Sequence, residues 1–270
     1  MTKFLTEPSV RLVGHNIMDI DGIDDFLSLN NTEWPSLKEK FDNNLDLGDS
    51  DPEWIPEMAG RLCYMSYSGK GRSHEDHVKH LIEVGHFSVI EHSNFNFVIW
   101  QVSRSLTHEL VRHRLASYSQ LSQRYVDSSD VNFVVPPAIQ ELKESQKDIY
   151  ESWEKSCLES LELYSKLTES LSELYKDLSD KTEKRKKARE AARSILPNCT
   201  ETRIFVTMNG RSLRHFITMR ASAAADREIR NLAAKMYKIM KERFPLIMHG
   251  IELISLPDGS QAVTNQFKET

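Results

Sequence analysis

The sequence holds only three cysteines, Cys63, Cys157 and Cys199, in 270 residues. So odd and sparse a set argues against a disulfide framework and fits a reducing compartment. No apolar run approaches the roughly 18 residues of a membrane span. The opening stretch, Met1-Thr2-Lys3-Phe4-Leu5-Thr6-Glu7-Pro8, carries no long apolar segment, so no secretory signal is expected and the expected location is cytoplasmic, with no membrane partner. There is no P-loop and no G-x-G-x-x-G, which removes two familiar glycine-built phosphate cradles. Positive charge is not in excess either: 35 Lys and Arg face 40 Asp and Glu, a formal net charge of −5. A generally basic polynucleotide binder is not indicated, although clustered arginines can bind an anion inside an acidic protein.

What is present is ordinary for a globular protein: 39% hydrophobic and 28% charged residues. At roughly 100–200 residues per domain, the length allows one large domain or two small ones. No repeat or interdomain linker interrupts it, so a single domain over 1–270 is expected. Ser9 to Gly14 reads as a strand, and residues 30–56 as a loop-dominated excursion. A helix is expected from Pro56 to Tyr67, and another from Ser73, its N-cap, to about Gly85. Phe95, Phe97 and Ile99 alternate as a strand does. The spacing then turns helical from Ser103 to about Leu115, with Arg104, His108 and Arg112 on one face. Ala116 to Gln123 reads as an ordered, Ser-rich loop, and Val131 to Val135 as a strand stopped by Pro136-Pro137.

The stretch 138–196 reads as a helical hairpin. Its first helix, to Asp180, carries Tyr164, Leu167, Leu171, Leu174 and Leu178 on one stripe; its second runs from Lys181 to Leu196. Arg203 to Met208 is an expected strand, Asn209-Gly210 a turn, and a helix should begin near Arg211. Ile229, Leu232, Ala233, Met236 and Met240 form a later apolar stripe, and Pro257-Asp258-Gly259 turns a C-terminal hairpin.

Arginines dominate the chemistry-bearing residues. Arg104, Arg112, Arg114 and Arg124 are followed by Arg189, Arg193, Arg203, Arg211, Arg214 and Arg220. Planar guanidiniums suit bidentate recognition of phosphate, and the hydroxyls of Ser117, Ser119 and Ser122 lie among the first group. Most lone arginines are solvated or paired with acids. His74, His77, His80, His86 and His92 cluster, but His108 and His113 are five apart, not the four a zincin helix needs. No metal site is assigned, and most of these histidines are expected at the surface or capping helices. None of the cysteines has an evident partner base. Gly69-Lys70-Gly71-Arg72 reads as an ordinary turn, and Lys184-Arg185-Lys186-Lys187 as a solvated helix face.

The run Arg112-His113-Arg114-Leu115-Ala116-Ser117-Tyr118-Ser119-Gln120-Leu121-Ser122-Gln123-Arg124-Tyr125 resembles the RHRxxSxNExSxRY signature of flavin-dependent thymidylate synthases. Gly85-His86-Phe87-Ser88-Val89-Ile90-Glu91-His92 and Asn209-Gly210-Arg211-Ser212-Leu213-Arg214-His215-Phe216, continuing to Arg220 and to Glu228-Ile229-Arg230, resemble the same family. The chain departs from the signature at Ser119-Gln120, where Asn-Glu is common; an amide then stands for a carboxylate of similar shape.

The resemblance implies an α+β fold of the thymidylate synthase-complementing protein type, a central antiparallel sheet flanked by helices. It implies reductive methylation of dUMP to dTMP, with methylenetetrahydrofolate as carbon donor and FAD, reduced by NADPH, as hydride donor. Arg220 would be catalytic, stabilising charge that develops on the uracil. Glu109, Leu110, Val111, Arg112, Gln120, Leu121, Ser122, Gln123, Arg124, Arg193 and Arg220 would contact dUMP. Ser88, Arg112, His113, Arg114, Gln120, Asn209, Gly210, Arg211 and His215 would contact FAD. The family assembles as a homotetramer with shared active sites. The alternatives are a flavin- or nucleotide-binding relative without turnover, a nucleic-acid-binding protein using the Arg-Ser loop, and a His-based metallohydrolase.

Overall fold

Alternation in the central strands organises the structure, a computed structural model that describes residues 2–35, 37, 51–67 and 72–267. In β3 (Asn94–Ser103) the side chains of Phe95, Phe97 and Ile99 are fully buried while Asn96 and Val98 face partly outward. At Gln101 the backbone enters the left-handed region, with φ +57°. Its N–H goes to the Glu201 carboxylate at 3.2 Å. One left-handed residue shifts the side-chain phase as a bulge does, so both Val102 and Ser103 are buried. Ser103 then caps helix α4 (Arg104–Leu110), accepting the Leu106 N–H at 2.9 Å. β6 (Glu201–Asn209) buries Ile204, Val206 and Met208 by the same period of two.

The principal sheet has the strand order β2-β3-β6-β4, with β2 at Ser9–His15 and β4 at Ala116–Gln120. Ser9 faces Gln101, and Asn16 N–H bonds Asn94 O, so β2 runs antiparallel to β3. Thr207 bonds Asn96, and Arg104 N–H bonds Thr200 O, which makes β3 and β6 antiparallel as well. A short parallel pair joins β1 (Phe4–Leu5) to β5 (Phe133–Val134), and β7 (Ile251–Ser255) forms an antiparallel hairpin with β8 (Gln261–Asn265). Helix and sheet are mixed, as an α+β class requires. No helix among the described residues is long and apolar enough to cross a membrane.

The chain divides into two compact units. The first comprises Met1–Ser9, Ile99–Arg112 and Tyr118–Phe205. It holds α4, β5, α5 (Pro137–Ser145), α6 (Lys147–Leu174), α7 (Lys181–Ala192) and a 3-10 turn at Arg193–Ile195. Phe133, Cys157 and Leu161 form one of its cores, with Phe4, Trp153 and Leu196 against them. The second unit comprises Val10–Val98, His113–Ser117 and Val206–Thr270. It holds α1 (Ile20–Leu29), α2 (Asp51–Leu62), α3 (His74–Glu83), a 3-10 helix at Phe87–His92, α8 (Gly210–Arg220) and α9 (Arg227–Arg243). All five residues of the expected α9 stripe are fully buried, and α9 packs on α8 and β8. Leu27, Trp34, Leu37, Trp54 and Tyr67 form a separate aromatic core.

Several expectations are corrected. The helix expected to reach Leu115 stops at Leu110, whose carbonyl accepts the Tyr118 hydroxyl at 2.9 Å. Arg112, His113 and Arg114 therefore occupy the turn after the helix, and Arg112 does not extend the Arg104–His108 face. The Ser-rich segment is a strand, β4, over residues 116–120. Its serines point outward while Ala116, Tyr118 and Gln120 face partly inward, so small polar residues disguise the period of two. The helix expected from 138 to 180 is broken at Gln146, with φ −145° and ψ 63°. Its buried residues are Tyr150, Cys157, Leu161 and Tyr164, whereas Leu174 of the expected stripe is 70% exposed.

Helix α2 begins at Asp51, five residues before the expected start, and tolerates Pro56. Helix α1, capped by Asp19, was not expected. Asn209-Gly210 is not a turn: Asn209 ends β6 and caps α8, accepting the Ser212 N–H at 2.8 Å. Ser73 caps α3 as expected, and Gly85, at φ +79°, ends that helix region. The remainder of the 30–56 excursion, at 36 and 38–50, and most of the Gly69–Arg72 turn lie outside the described residues.

Candidate active site

In the first unit the signature forms a polar wall. Leu121 N–H bonds Arg203 O at 2.8 Å, which continues the β4–β6 ladder beyond Gln120. The chain then bends at Ser122, whose carbonyl accepts from Tyr125 N–H and Val126 N–H and whose hydroxyl accepts from Arg124 N–H at 3.3 Å. A cavity of about 150 Å³ opens here, with Arg104, Ser122, Gln123, Asp127, Glu201 and Arg203 in its wall. Gln120 is locked from behind, its amide donating to the hydroxyls of Thr107 at 3.0 Å and Thr202 at 3.2 Å.

Cations gather around this wall. Arg124 pairs with Glu190 at 2.9 Å. Arg189 donates to Tyr125 O at 2.7 Å and to the Asp127 carboxylate at 3.0 Å. Burial pushes the Arg104 guanidinium below its ordinary value, and the nearby Arg193 charge adds to the effect. Three buried guanidinium nitrogens, Arg104 Nη1, Arg124 Nε and Arg189 Nε, have no hydrogen-bond partner among the described residues. Unused charged donors beside a hydroxyl-bearing bend are a receptor for an anion. Arg104, Arg189 and Arg203 fall at no signature position, and only their place in the arginine series signalled them. Of the other expected contacts, Leu110 is fully buried, Glu109 half-buried, and Val111 and Arg112 exposed.

In the second unit α8 supplies the polar groups. Gly210 N–H bonds Ser93 O at 2.8 Å, and a Cβ at Gly210 would stand 2.6 Å from Ile90 O. Only glycine lets the start of α8 lie so close to the 3-10 helix carrying Ser88. Arg211 pairs with Glu91 at 2.7 Å, and the buried Ser212 hydroxyl has no partner among the described residues. Ser88, Arg114 and His215 are exposed.

At the far end of α8, Arg220 donates its Nε–H to His113 Nε2 at 3.0 Å. The His113 ring meets Phe216 edge-on at 5.1 Å and His215 at 5.9 Å. Burial, then the charges of Arg220 and His215, push the His113 pKa down to about 4. The donor set of this unit, with guanidiniums, Ser88, an orphaned hydroxyl and a helix N-terminus, fits an anionic diphosphate cofactor.

Other candidates resolve into structure. His74 is neither a surface residue nor a cap: it stacks on buried Trp54 at 3.7 Å and bonds the fully buried Glu57 at 2.5 Å. Cys157 faces another thiol, Cys199, at 3.7 Å, and that contact and burial push its pKa up. Lys187 pairs with Glu183, and Lys186 lies over the Tyr125 ring, so the basic helix run is engaged locally.

A family model described as thymidylate synthase complementing protein matches residues 47–246. A relative from Mycobacterium avium (strain 104), named flavin-dependent thymidylate synthase, is 44% identical over 214 residues, 78% of this chain and 84% of the relative. One of the same name from Mycobacteroides abscessus is 45% identical over 210 residues, covering 77% and 82%. Another, from Mycobacterium tuberculosis (strain ATCC 25177 / H37Ra), is 44% identical over 214 residues, covering 78% and 84%.

Proposed function

Since this chain belongs to the thymidylate synthase complementing protein family, we propose a division of its residues between nucleotide, flavin and chemistry. The enzyme is a flavin-dependent thymidylate synthase that methylates dUMP to dTMP, with methylenetetrahydrofolate and NADPH as co-substrates. FAD, when bound, supplies the hydride-transfer chemistry. Every other task falls to the protein.

The observation that carries the assignment is the set of guanidinium nitrogens on Arg104, Arg124 and Arg189 without a partner among the described residues, with the Ser122 bend beside them. We place the dUMP phosphate there, held by Arg124, Arg193 and Ser122 and joined by Arg104. The charge that strains Arg104 against Arg193 is the charge a phosphate neutralises. Gln120 to Arg124 and Glu109 to Arg112 line the nucleotide. Gln120 has its amide nitrogen committed to two threonines, so its carbonyl oxygen is the atom it can offer. Ser88, Arg112, His113, Arg114, Gln120, Asn209, Gly210, Arg211 and His215 hold FAD. Arg220 faces the uracil and stabilises negative charge at N3 and the neighbouring carbonyl oxygens, which makes C5 more nucleophilic.

The 270 residues act as one domain of the family fold, with 138–196 as a helical hairpin within it. The protein is a cytoplasmic homotetramer whose subunits share active sites, as the family resemblance implies.

The test is tritium release from dUMP labelled at C5, with methylenetetrahydrofolate, NADPH and FAD. Release that depends on FAD and NADPH is expected, and Arg220→Lys is expected to lose at least tenfold because lysine lacks the planar fork. Unchanged release by Arg220→Lys with flavin bound refutes the polarising role.

A further inference from the structure

We infer that the imidazole of His113 positions Arg220, its Nε2 accepting the guanidinium Nε–H and so fixing the plane in which the terminal nitrogens meet the uracil. The inference rests on the reading that Arg220 acts on dUMP; what it adds is the device that aims it. Arginine has five donors and no acceptor. A 3.0 Å contact between Arg220 Nε and His113 Nε2 therefore requires a lone pair on Nε2, which assigns the proton of the neutral ring to Nδ1.

The geometry suits aiming. A guanidinium is planar, so anchoring its Nε–H restricts rotation of the fork and sets the direction of both terminal nitrogens. The anchor is itself braced. Phe216 and Arg220 are four residues apart on α8, hence on one face of the helix. The His113 ring stands edge-on to Phe216 at 83° and bonds Arg220, so one helix turn supplies both the brace and the group being braced.

The acceptor state is stable at neutral pH. Burial and the nearby charges of Arg220 and His215 disfavour a second proton, and the pKa stands at about 4. Protonation would set two cations 3.0 Å apart and remove the lone pair that Arg220 uses. A neutral acceptor adds no opposing charge of its own. For a guanidinium that must project positive charge, a neutral anchor is the better partner.

The test is a double-mutant cycle on the intact enzyme, with rates expressed per bound flavin. His113→Leu, which removes the acceptor, is expected to lower kcat for dTMP formation by about 10- to 100-fold, the cost of a small misplacement, with the KM for dUMP changed less than about threefold. His113→Gln places a carbonyl oxygen near the Nε2 position and should recover most of the rate. In the Arg220→Lys background, His113→Leu should cost little more, because the group it aims is gone. Losses that multiply, or a Gln variant no better than Leu, overturn the inference and leave the Arg220 reading standing. An Arg220→Lys enzyme with full activity overturns both. A readout independent of the variants' folding is the 15N spectrum of histidine-labelled wild-type protein. An unprotonated Nε2 on His113 from pH 8 to about 5 is expected, and an Nε2–H tautomer, or a ring that titrates at its ordinary value, overturns the inference.

Discussion

Removing the carboxyl of Glu57 should damage the second unit severely. The side chain is fully buried and accepts hydrogen bonds from Trp34 Nε1 at 3.1 Å, Arg61 Nε at 2.6 Å and His74 Nδ1 at 2.5 Å. Burial alone would raise its pKa, but the hydrogen bond and charge of His74 and those of Arg61 outweigh it and hold it below the ordinary value of 4.5. Arg61 is only 5% exposed, and its terminal nitrogens are spent on the carbonyls of Ser66 and Arg72. Glu57→Leu would leave that guanidinium buried without its carboxylate, a loss of about 3–5 kcal/mol for breaking a buried pair. At roughly 2–4 °C per kcal/mol for a chain of this size, the melting temperature should drop by about 6–20 °C. The assay is thermal unfolding followed by circular dichroism at pH 7.5. A depressed carboxylate pKa contributes stability that is present above 4.5 and lost as pH falls through the lower folded value, so the gap from wild type should close only in acid. A Glu57→Leu protein that melts within 2 °C of wild type at pH 7.5 would refute the reasoning, because the network would then contribute nothing net.

Arg104→Met should raise the KM for dUMP by about 10- to 100-fold, the worth of a charged hydrogen bond. It should leave the melting temperature unchanged or higher, because it removes an unpartnered buried donor and its repulsion from Arg193; a fall in stability with unchanged KM would contradict the anion site. Gly210→Ala should cost about 1–3 kcal/mol and reduce flavin retained on purification, since the new Cβ must move off Ile90 O. Full flavin content with an unchanged melting temperature would count against that contact. Gln120→Glu should keep activity within about threefold, because a carboxylate can accept from the Thr202 hydroxyl once it rotates and from that of Thr107 once it leaves the Arg104 carbonyl, to which it donates at 2.9 Å. A hundredfold loss in steady-state rate would show that the amide protons are required.

Short-range physics was legible where burial sets the period. Phe95, Phe97 and Ile99 announce a buried strand face, and Ile229, Leu232, Ala233, Met236 and Met240 a buried helix stripe, because burial imposes the period of the element. Ser73 declares a helix start because its hydroxyl needs only the N–H three residues on. The sequence of β4 misled because its inward side is built from Ala116, Tyr118 and Gln120, residues whose hydropathy does not mark them as facing inward.

The family, the reaction and the residue types of the site were set by the sequence alone, since Arg112-His113-Arg114, Ser122, Arg124 and Arg220 stand at signature positions whatever the chain does between them. Which of those groups are partnered was decided only by tertiary structure. Glu190 lies 66 residues from Arg124, Thr202 82 residues from Gln120, and His113 107 residues from Arg220. Hydrogen bonds form between neighbours in space, and no local pattern encodes such separations. The Glu57 network was invisible for the same reason: Trp34, Arg61 and His74 converge on one carboxylate only once the helices have packed, and packing depends on the sum of many contacts rather than on any one motif.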